Sequence, residues 1–168
     1  MEAVVYTSNT GSTEHYAKLL GHELSVSVYS TEEAGNKLPT GTEIIYLGWI
    51  MAGKIQGYGL ARKKYKICAV CAVGMGQTGT QRKEIREKNN IPGKIPVFTL
   101  QGNFNVEKLH GMYKMMMSIM VKTAGKALEK KADRTPEEED MLDMMLHGGE
   151  RVRIQNLQGV ISWYNGKR

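Results

Sequence analysis

Four apolar runs separated by helix-like segments constrain the fold of this chain more than any other feature. The runs are residues 2–7, 43–49, 66–73 and 95–102. Continuous apolar runs of this length, bounded by turn residues, are typical of strands that are buried on both faces of a parallel sheet. Their alternation with helical patterns predicts an α/β fold.

The segments between these runs supply the remaining elements. Residues 12–24 repeat apolar side chains at helical spacing, residues 26–29 predict a short strand, and residues 81–88 predict a short polar helix. Residues 32–41 predict a surface connection without regular structure. We therefore expect one domain over residues 1–168, with a doubly wound sheet of five parallel strands. A helical insert at about residues 104–146 is expected after the fifth strand.

Composition and charge narrow the class of protein. The chain has 168 residues, of which 41% are hydrophobic and 24% are charged, as in ordinary globular domains. No apolar run has the ~20 residues of a membrane-spanning helix, and no secretory signal pattern opens the chain, so we expect a cytoplasmic location. The net charge of +6 favours acidic partners or a solvated lysine-rich surface, and we expect no nucleic-acid partner.

Two cysteines form a C-x-x-C that we interpret as structural. Cys68 and Cys71 lie inside the apolar run "KICAVCAV", where side chains three apart point to opposite faces of a strand. A redox pair would lie at a helix start, and a zinc site would need a second ligand pair. The four histidines show no metal-ligand spacing, and no nucleophile has a base nearby. The sequence therefore predicts neither a metal site nor a catalytic side chain of its own.

The loop after the first strand predicts an anion site. It combines hydroxyl, amide and glycine residues just before a helix, and its members are Ser8, Asn9, Thr10, Gly11, Ser12 and Thr13. Backbone N–H groups at a helix N-terminus bind phosphate, and a glycine turn lets the backbone approach it. The loop has no lysine and does not match the P-loop pattern, so nucleotide hydrolysis is not expected. The alternative is a plain helix cap, which needs only one such residue.

The segment "VVYTSNTGSTE" resembles the FMN phosphate loop of flavodoxins, with Ser12 at a position where these proteins commonly have Asn. Across the chain, "IIYLGWIMAGKIQG" and "FTLQGNFNVEKLHGMYKMMM" are most similar to a flavodoxin-like subgroup that includes the menaquinone-dependent protoporphyrinogen oxidases. The resemblance implies a flavodoxin-like fold and non-covalent FMN as the cofactor.

The resemblance also implies that two later loops contact the flavin ring. The first contains Trp49, Ile50, Met51, Ala52 and Gly53. Trp49 is expected either to stack on the ring or to pack into the core, and Tyr58 is a weaker candidate for stacking. The second loop contains Gly74, Met75, Gly76, Gln77, Thr78 and Gly79. Its G-x-G-x-x-G also matches a dinucleotide fingerprint, but it follows the fourth strand and lacks the acidic residue for the ribose.

The insert predicts a contact surface. Residues 104–129 carry apolar side chains, many of them methionine, at helical spacing, and Lys108, Lys122 and Lys126 lie on the opposite side. Such a helix can lie on an anionic membrane or on a partner protein. The alternative is that an acidic helix at residues 135–146 covers it, with Thr135 as its N-cap.

Three functions remain open from the sequence. The chain is an electron carrier that docks on a redox partner protein, an oxidoreductase that passes electrons from protoporphyrinogen to a quinone and so forms a porphyrin, or an interaction module that binds no flavin. The net charge of +6 and Lys54, which follows the first ring loop, predict that reduced flavin is better stabilised than in an acidic flavodoxin.

Overall fold

The computed structural model of the protein describes residues 1–103 and 111–167. In these residues the strands are β1 (Ala3–Thr7), β2 (Ser27–Ser30), β3 (Glu43–Met51), β4 (Lys54–Ile55), β5 (Lys66–Gly74) and β6 (Val97–Gln101). The helices are α1 (Ser12–Leu24), α2 (Thr31–Lys37), α3 (Tyr58–Lys64), α4 (Arg82–Lys88), α5 (Gly111–Met120), α6 (Lys126–Lys130), α7 (Pro136–His147) and α8 (Gln158–Asn165). A π-helical turn, Val121–Gly125, joins α5 to α6, and a 3₁₀ turn, Ile154–Leu157, precedes α8.

The sheet has the strand order β2-β1-β3-β5-β6, and all of these strands are parallel. β4 pairs antiparallel with the end of β3 and lies off this path. The predicted doubly wound sheet of five parallel strands is therefore confirmed, and the helical insert follows β6 as expected. The strand order reverses beside β1, so a crevice is expected at the carboxyl ends of β1 and β3. The organisation of residues 1–168 as one domain stays a prediction.

Helices cover both faces of the sheet, as the apolar runs require. On one face α2, α3 and α4 pack on inward side chains of the strands such as Val5, Ile44 and Val70. On the other face α1 and α8 pack on the alternate positions, including Val4 and Leu47. Each strand thus contributes successive side chains to two separate cores, which is why the sequence shows continuous rather than alternating apolar residues.

The two cysteines lie on β5 and are free thiols. Cys71 is fully buried in the core under α1, and burial raises the pKa of its thiol. Cys68 is half-buried at a register shift, where β3 Ile44 faces Ile67 but the next residue, Ile45, faces Ala69. Burial raises the pKa of the Cys68 thiol as well. The structural role predicted for both residues agrees with these positions.

The connection predicted at residues 32–41 is wrong in its first half, because α2 occupies Thr31–Lys37. A capping box begins this helix: the Ser30 hydroxyl accepts a hydrogen bond from the Glu33 N–H, and the Glu33 carboxylate accepts one from the Ser30 N–H. Ala34 is its one buried side chain. A helix that buries a single alanine leaves almost no apolar periodicity in the sequence, so the pattern of hydrophobic residues could not reveal it.

The acidic helix of the insert, α7, covers one side of its methionine-rich helix, α5. Met144 and Met145 of α7 are buried against α5 and the π-helical turn, where Met117, Met120 and Val121 meet them. α7 begins as predicted, because the Thr135 hydroxyl accepts from the Glu138 N–H at 3.3 Å and Pro136 follows it. The prediction for Lys108, and that for the apolar spacing over residues 104–110, lie outside the described residues.

A buried hydroxyl cluster links β1, β3 and the start of α2. The Tyr46 hydroxyl donates to the Gln56 carbonyl and lies 2.7 Å from the Thr7 hydroxyl, which in turn contacts the Thr31 hydroxyl. Burial raises the pKa of Tyr46 to about 12. Gly57 passes so close that a Cβ on it would lie 2.2 Å from the Tyr46 hydroxyl oxygen. This cluster therefore fixes the position of the chain as it leaves β4.

Replacing Tyr46 with Phe should lower the free energy of unfolding by about 1–3 kcal/mol, because the Gln56 carbonyl loses its buried donor. Urea denaturation followed by circular dichroism measures this change. Tyr29→Phe is the control, since its ring keeps the contact with the Lys37 ammonium, 5.5 Å from the ring centre, and should change stability by less than about 0.5 kcal/mol. Equal effects of the two substitutions would show that the hydroxyl cluster contributes nothing specific.

Candidate functional site

The N-terminus of α1 forms the polar end of a pocket at the carboxyl edge of the sheet. Gly11 precedes the helix with φ of +98° and has no side chain with which to cap it. The Glu14 N–H instead donates to the Ser8 hydroxyl at 3.3 Å. Ser12 and Thr13 are buried and open the helix, so their backbone N–H groups have no partner within it. This arrangement leaves a positive helix end facing the pocket.

The Ser12 hydroxyl has a second role that the sequence did not indicate. It accepts a hydrogen bond from the Asn103 N–H at 3.0 Å and so ties α1 to the segment that follows β6. Asn103 in turn accepts hydrogen bonds at its side-chain oxygen from the N–H groups of Arg151 and Val152. The polar end of the pocket is therefore fixed by three segments that are far apart in the sequence.

The end of β3 supplies the apolar wall of the pocket. Trp49, Ile50 and Met51 all line it, and Trp49 is half-buried rather than part of the core. The alternative prediction for Trp49, that it packs into the core, is therefore not what the structure shows. Tyr58 lies instead in the core beside Tyr46, with 6.2 Å between the ring centres, so its prediction as a stacking residue is wrong.

Ala52 and Gly53 do not line the pocket, although they were predicted to do so. They form the two-residue turn of the β3–β4 hairpin, with φ of +48° and +78°. Asn89 holds this turn, because its side chain accepts from the Ile55 N–H at 2.8 Å and donates to the Gly53 carbonyl at 2.9 Å. The Lys54 ammonium also binds the end of α4, because it donates to the Lys88 carbonyl. The position of Lys54 therefore gives no support to the prediction that it stabilises a reduced flavin.

Of the glycine-rich residues 74–79, only Gly74, the last residue of β5, and Met75 line the pocket. The other four, Gly76, Gln77, Thr78 and Gly79, fold back toward β6. There the Gly79 N–H donates to the Thr99 carbonyl at 3.0 Å, and the Thr78 hydroxyl accepts from the Gln101 N–H at 3.0 Å. α4 begins only at Arg82, after Gln81 in the left-handed region. These glycines therefore do not open a helix, and the dinucleotide alternative lacks its required geometry.

Nine of the seventeen predicted residues meet in the pocket: Asn9, Thr10, Ser12, Thr13, Trp49, Ile50, Met51, Gly74 and Met75. Ser8 and Gly11 lie behind it and shape the start of α1. Four lining residues were missed: Val73, Gly102, Asn103 and Met117. Gly102 and Asn103 follow the last strand, where the rule of carboxyl strand ends could have found them. Met117 comes from α5, and its place in the wall depends on the packing of the insert.

The pocket suits a ligand with an anionic end and a flat apolar body. It encloses about 610 Å³, including space open to solvent. Its polar end has hydroxyl, amide and backbone N–H donors, and its other walls are tryptophan, isoleucine and methionine. Among the described residues that line it, none has a charged or titratable side chain.

No group of three or more histidine, cysteine, aspartate and glutamate side chains that could hold a metal ion occurs among the described residues. Within the same ranges, no helix is long and apolar enough to cross a membrane.

The chain matches a known domain family. A model of the flavodoxin domain matches residues 3–131, which span β1 to the end of α6 and include every residue that lines the pocket. No curated protein and no solved structure matches the chain. The matched segment covers more than half of the chain, and the strand order and the position of the pocket agree with it. The chain therefore belongs to the flavodoxin-domain family.

Proposed function

We propose that the chain binds FMN non-covalently in this pocket and transfers electrons through it. The observation that carries the proposal is the pocket itself, which joins the N-terminus of α1 to an apolar wall containing Trp49. FMN has a phosphate that suits the first and a flat aromatic ring that suits the second. Membership of the flavodoxin-domain family supports a flavin as the class of ligand.

The phosphate would be held by neutral donors. The backbone N–H groups of Ser12 and Thr13 and the hydroxyl of Thr10 line the pocket end, and the dipole of α1 adds a favourable field for an anion. Ser8 keeps the first turn in place through its bond to Glu14. Because no lysine or arginine occurs among the described lining residues, affinity for the phosphate should depend on geometry more than on salt.

The flavin supplies the redox chemistry, since it accepts and returns one or two electrons when bound. The chain positions the ring and limits its contact with water. Trp49, Ile50 and Met51 offer an apolar surface from β3, and Met75 and Met117 add thioether side chains from the loop after β5 and from the insert. The described lining residues carry no side chain that could transfer a proton at neutral pH.

The proposal for partners follows from charge and access. A net charge of +6 favours docking of an acidic redox protein, in which case the electron-transfer rate should fall as ionic strength rises. We place this carrier in the cytoplasm, with the insert available for peripheral contact with a membrane. Neither the electron donor nor the acceptor is specified by the residues that line the pocket.

A second candidate function is favoured by one observation, namely that α5 of the insert contributes Met117 to the pocket wall. An oxidoreductase resembling the protoporphyrinogen oxidases would need a substrate cleft bordered by the insert. Oxidation of protoporphyrinogen with a quinone acceptor distinguishes the two: the enzyme turns over repeatedly, whereas an electron carrier with no substrate of its own does not.

Replacing Trp49 with Ala should weaken FMN binding roughly tenfold, because the ring loses an aromatic surface. Titration of the apoprotein with FMN, followed by flavin fluorescence, measures the dissociation constant. Trp163→Phe is the matched control, since Trp163 lies on α8 beside Phe98, at 6.1 Å between ring centres. Wild-type protein that is colourless and does not bind added FMN would overturn the proposal and favour an interaction module without flavin.

Replacing Met117 with Ala should weaken FMN binding by about two- to tenfold, because an apolar wall is lost and water enters. The same titration measures it, and Met112→Ala on the exposed side of the same helix is the control. If both substitutions leave the dissociation constant unchanged while Trp49→Ala raises it, the insert has no part in the cofactor site.

A further inference from the structure

One face of α5 is apolar and exposed. Met112, Met115, Met116 and Ile119 have exposed fractions of 68%, 59%, 42% and 56%. Their spacing of i, i+3, i+4 and i+7 places them on one side of the helix. We call these four residues the α5 outer face. Single exposed apolar side chains need no explanation, but a contiguous group of large ones marks a contact surface.

Within the described residues, the packing of the insert leaves this face uncovered. α7 buries the opposite side of the helix, where Met117 and Met120 pack with Met144. Of the six large apolar side chains that are exposed in the described residues, four belong to the α5 outer face; the other two, Leu60 and Leu146, lie on different helices. Exposed apolar area is thus concentrated on one helix.

The same helical segment is positively charged. Residues 111–130 contain four lysines and one glutamate, which gives them a net charge of +3. Lys114, Lys122, Lys126 and Lys130 are all exposed, and no ion pair of these four occurs within the part of the chain that the structure describes. Three of the five acids of α7 are engaged elsewhere: Glu138 binds Lys131 at 2.6 Å, and Asp140 and Asp143 bind Arg151 at 3.3 and 3.0 Å.

We propose that the α5 outer face and these lysines dock on an anionic lipid bilayer. A bilayer offers an apolar depth for the four side chains and negative headgroups for the lysines, whose long side chains reach outward from an inserted helix. An acidic protein would pair with the lysines but would need its own apolar patch for the methionines, so the lipid surface fits both features at once. Docking here would place α5 against the membrane, with Met117 and the pocket on the far side of the helix.

Vesicle co-sedimentation tests the proposal on the full chain and does not depend on FMN. The probes are vesicles of equimolar phosphatidylcholine and phosphatidylglycerol, and vesicles of pure phosphatidylcholine. We expect binding to the anionic vesicles that weakens as salt is raised, and little binding to the neutral ones. Wild-type protein that stays in the supernatant with both kinds of vesicle would overturn the proposal.

Two pairs of variants locate the binding surface. M115Q/I119Q should reduce binding at least about tenfold, because two apolar side chains no longer enter the bilayer. Leu60→Gln is its control, since Leu60 is 70% exposed on α3. K122E/K126E should reduce binding at least about tenfold, whereas K63E/K83E, with the same net charge but on α3 and α4, should have a much smaller effect.

Circular dichroism of each variant checks that it is folded, so that a loss of vesicle binding can be assigned to the substituted surface. Equal losses in a variant and its control would show that net charge or general hydrophobicity is responsible, which contradicts the proposal. Concentration-dependent dimers that M115Q/I119Q disperses, without vesicle binding by the wild type, would assign the face to a second copy of the chain instead.

Discussion

Burial of a parallel sheet on both faces is the constraint on which the rest of this structure depends. Parallel strands need crossover helices, and α1 and α8 on one face and α2 to α4 on the other supply the apolar cover. Polar side chains are then confined to the strand ends. Since β1, β3, β5 and β6 run in the same direction, their carboxyl ends meet at one edge, and the pocket forms there.

Side-chain amides and hydroxyls hold the loops at that edge in place. Asn89 secures the hairpin after β3, Asn103 binds the backbone at Arg151 and Val152, and Ser12 binds Asn103. Each of these bonds links segments that regular secondary structure leaves unconnected. An irregular backbone at a binding edge needs such partners, because buried N–H and C=O groups without a hydrogen bond are costly. The polar loops thus serve stability and site geometry together.

The sheet could be predicted because each strand carries its own pattern of apolar residues, and the phosphate-loop candidates could be predicted because hydroxyl groups cluster before a helix. The roles of Ala52 and Gly53 could not be predicted, because a small residue suits a hairpin turn as well as a close approach to a ligand. α2 was missed because one buried alanine leaves no apolar periodicity. The Ser-x-x-Glu pattern of its capping box could have indicated where the helix begins. Met117 was missed because only the packing of α5 on α7 brings it to the pocket.

The long-range bonds around the pocket also have a consequence for folding. The Asn156 amide donates to the Tyr16 hydroxyl, 140 residues earlier in the chain, at 2.6 Å, and that hydroxyl donates to the Gln101 carbonyl at 2.6 Å. Contacts of such sequence separation form late, because the loop must be closed before they contribute. During synthesis, the wall at Gly102 and Asn103 is therefore completed only after residues 151–156 have left the ribosome. The first turn of α1 needs no such contact, because Ser8 holds it through its bond to Glu14. A nascent chain therefore carries a positive helix end before the pocket around it is complete.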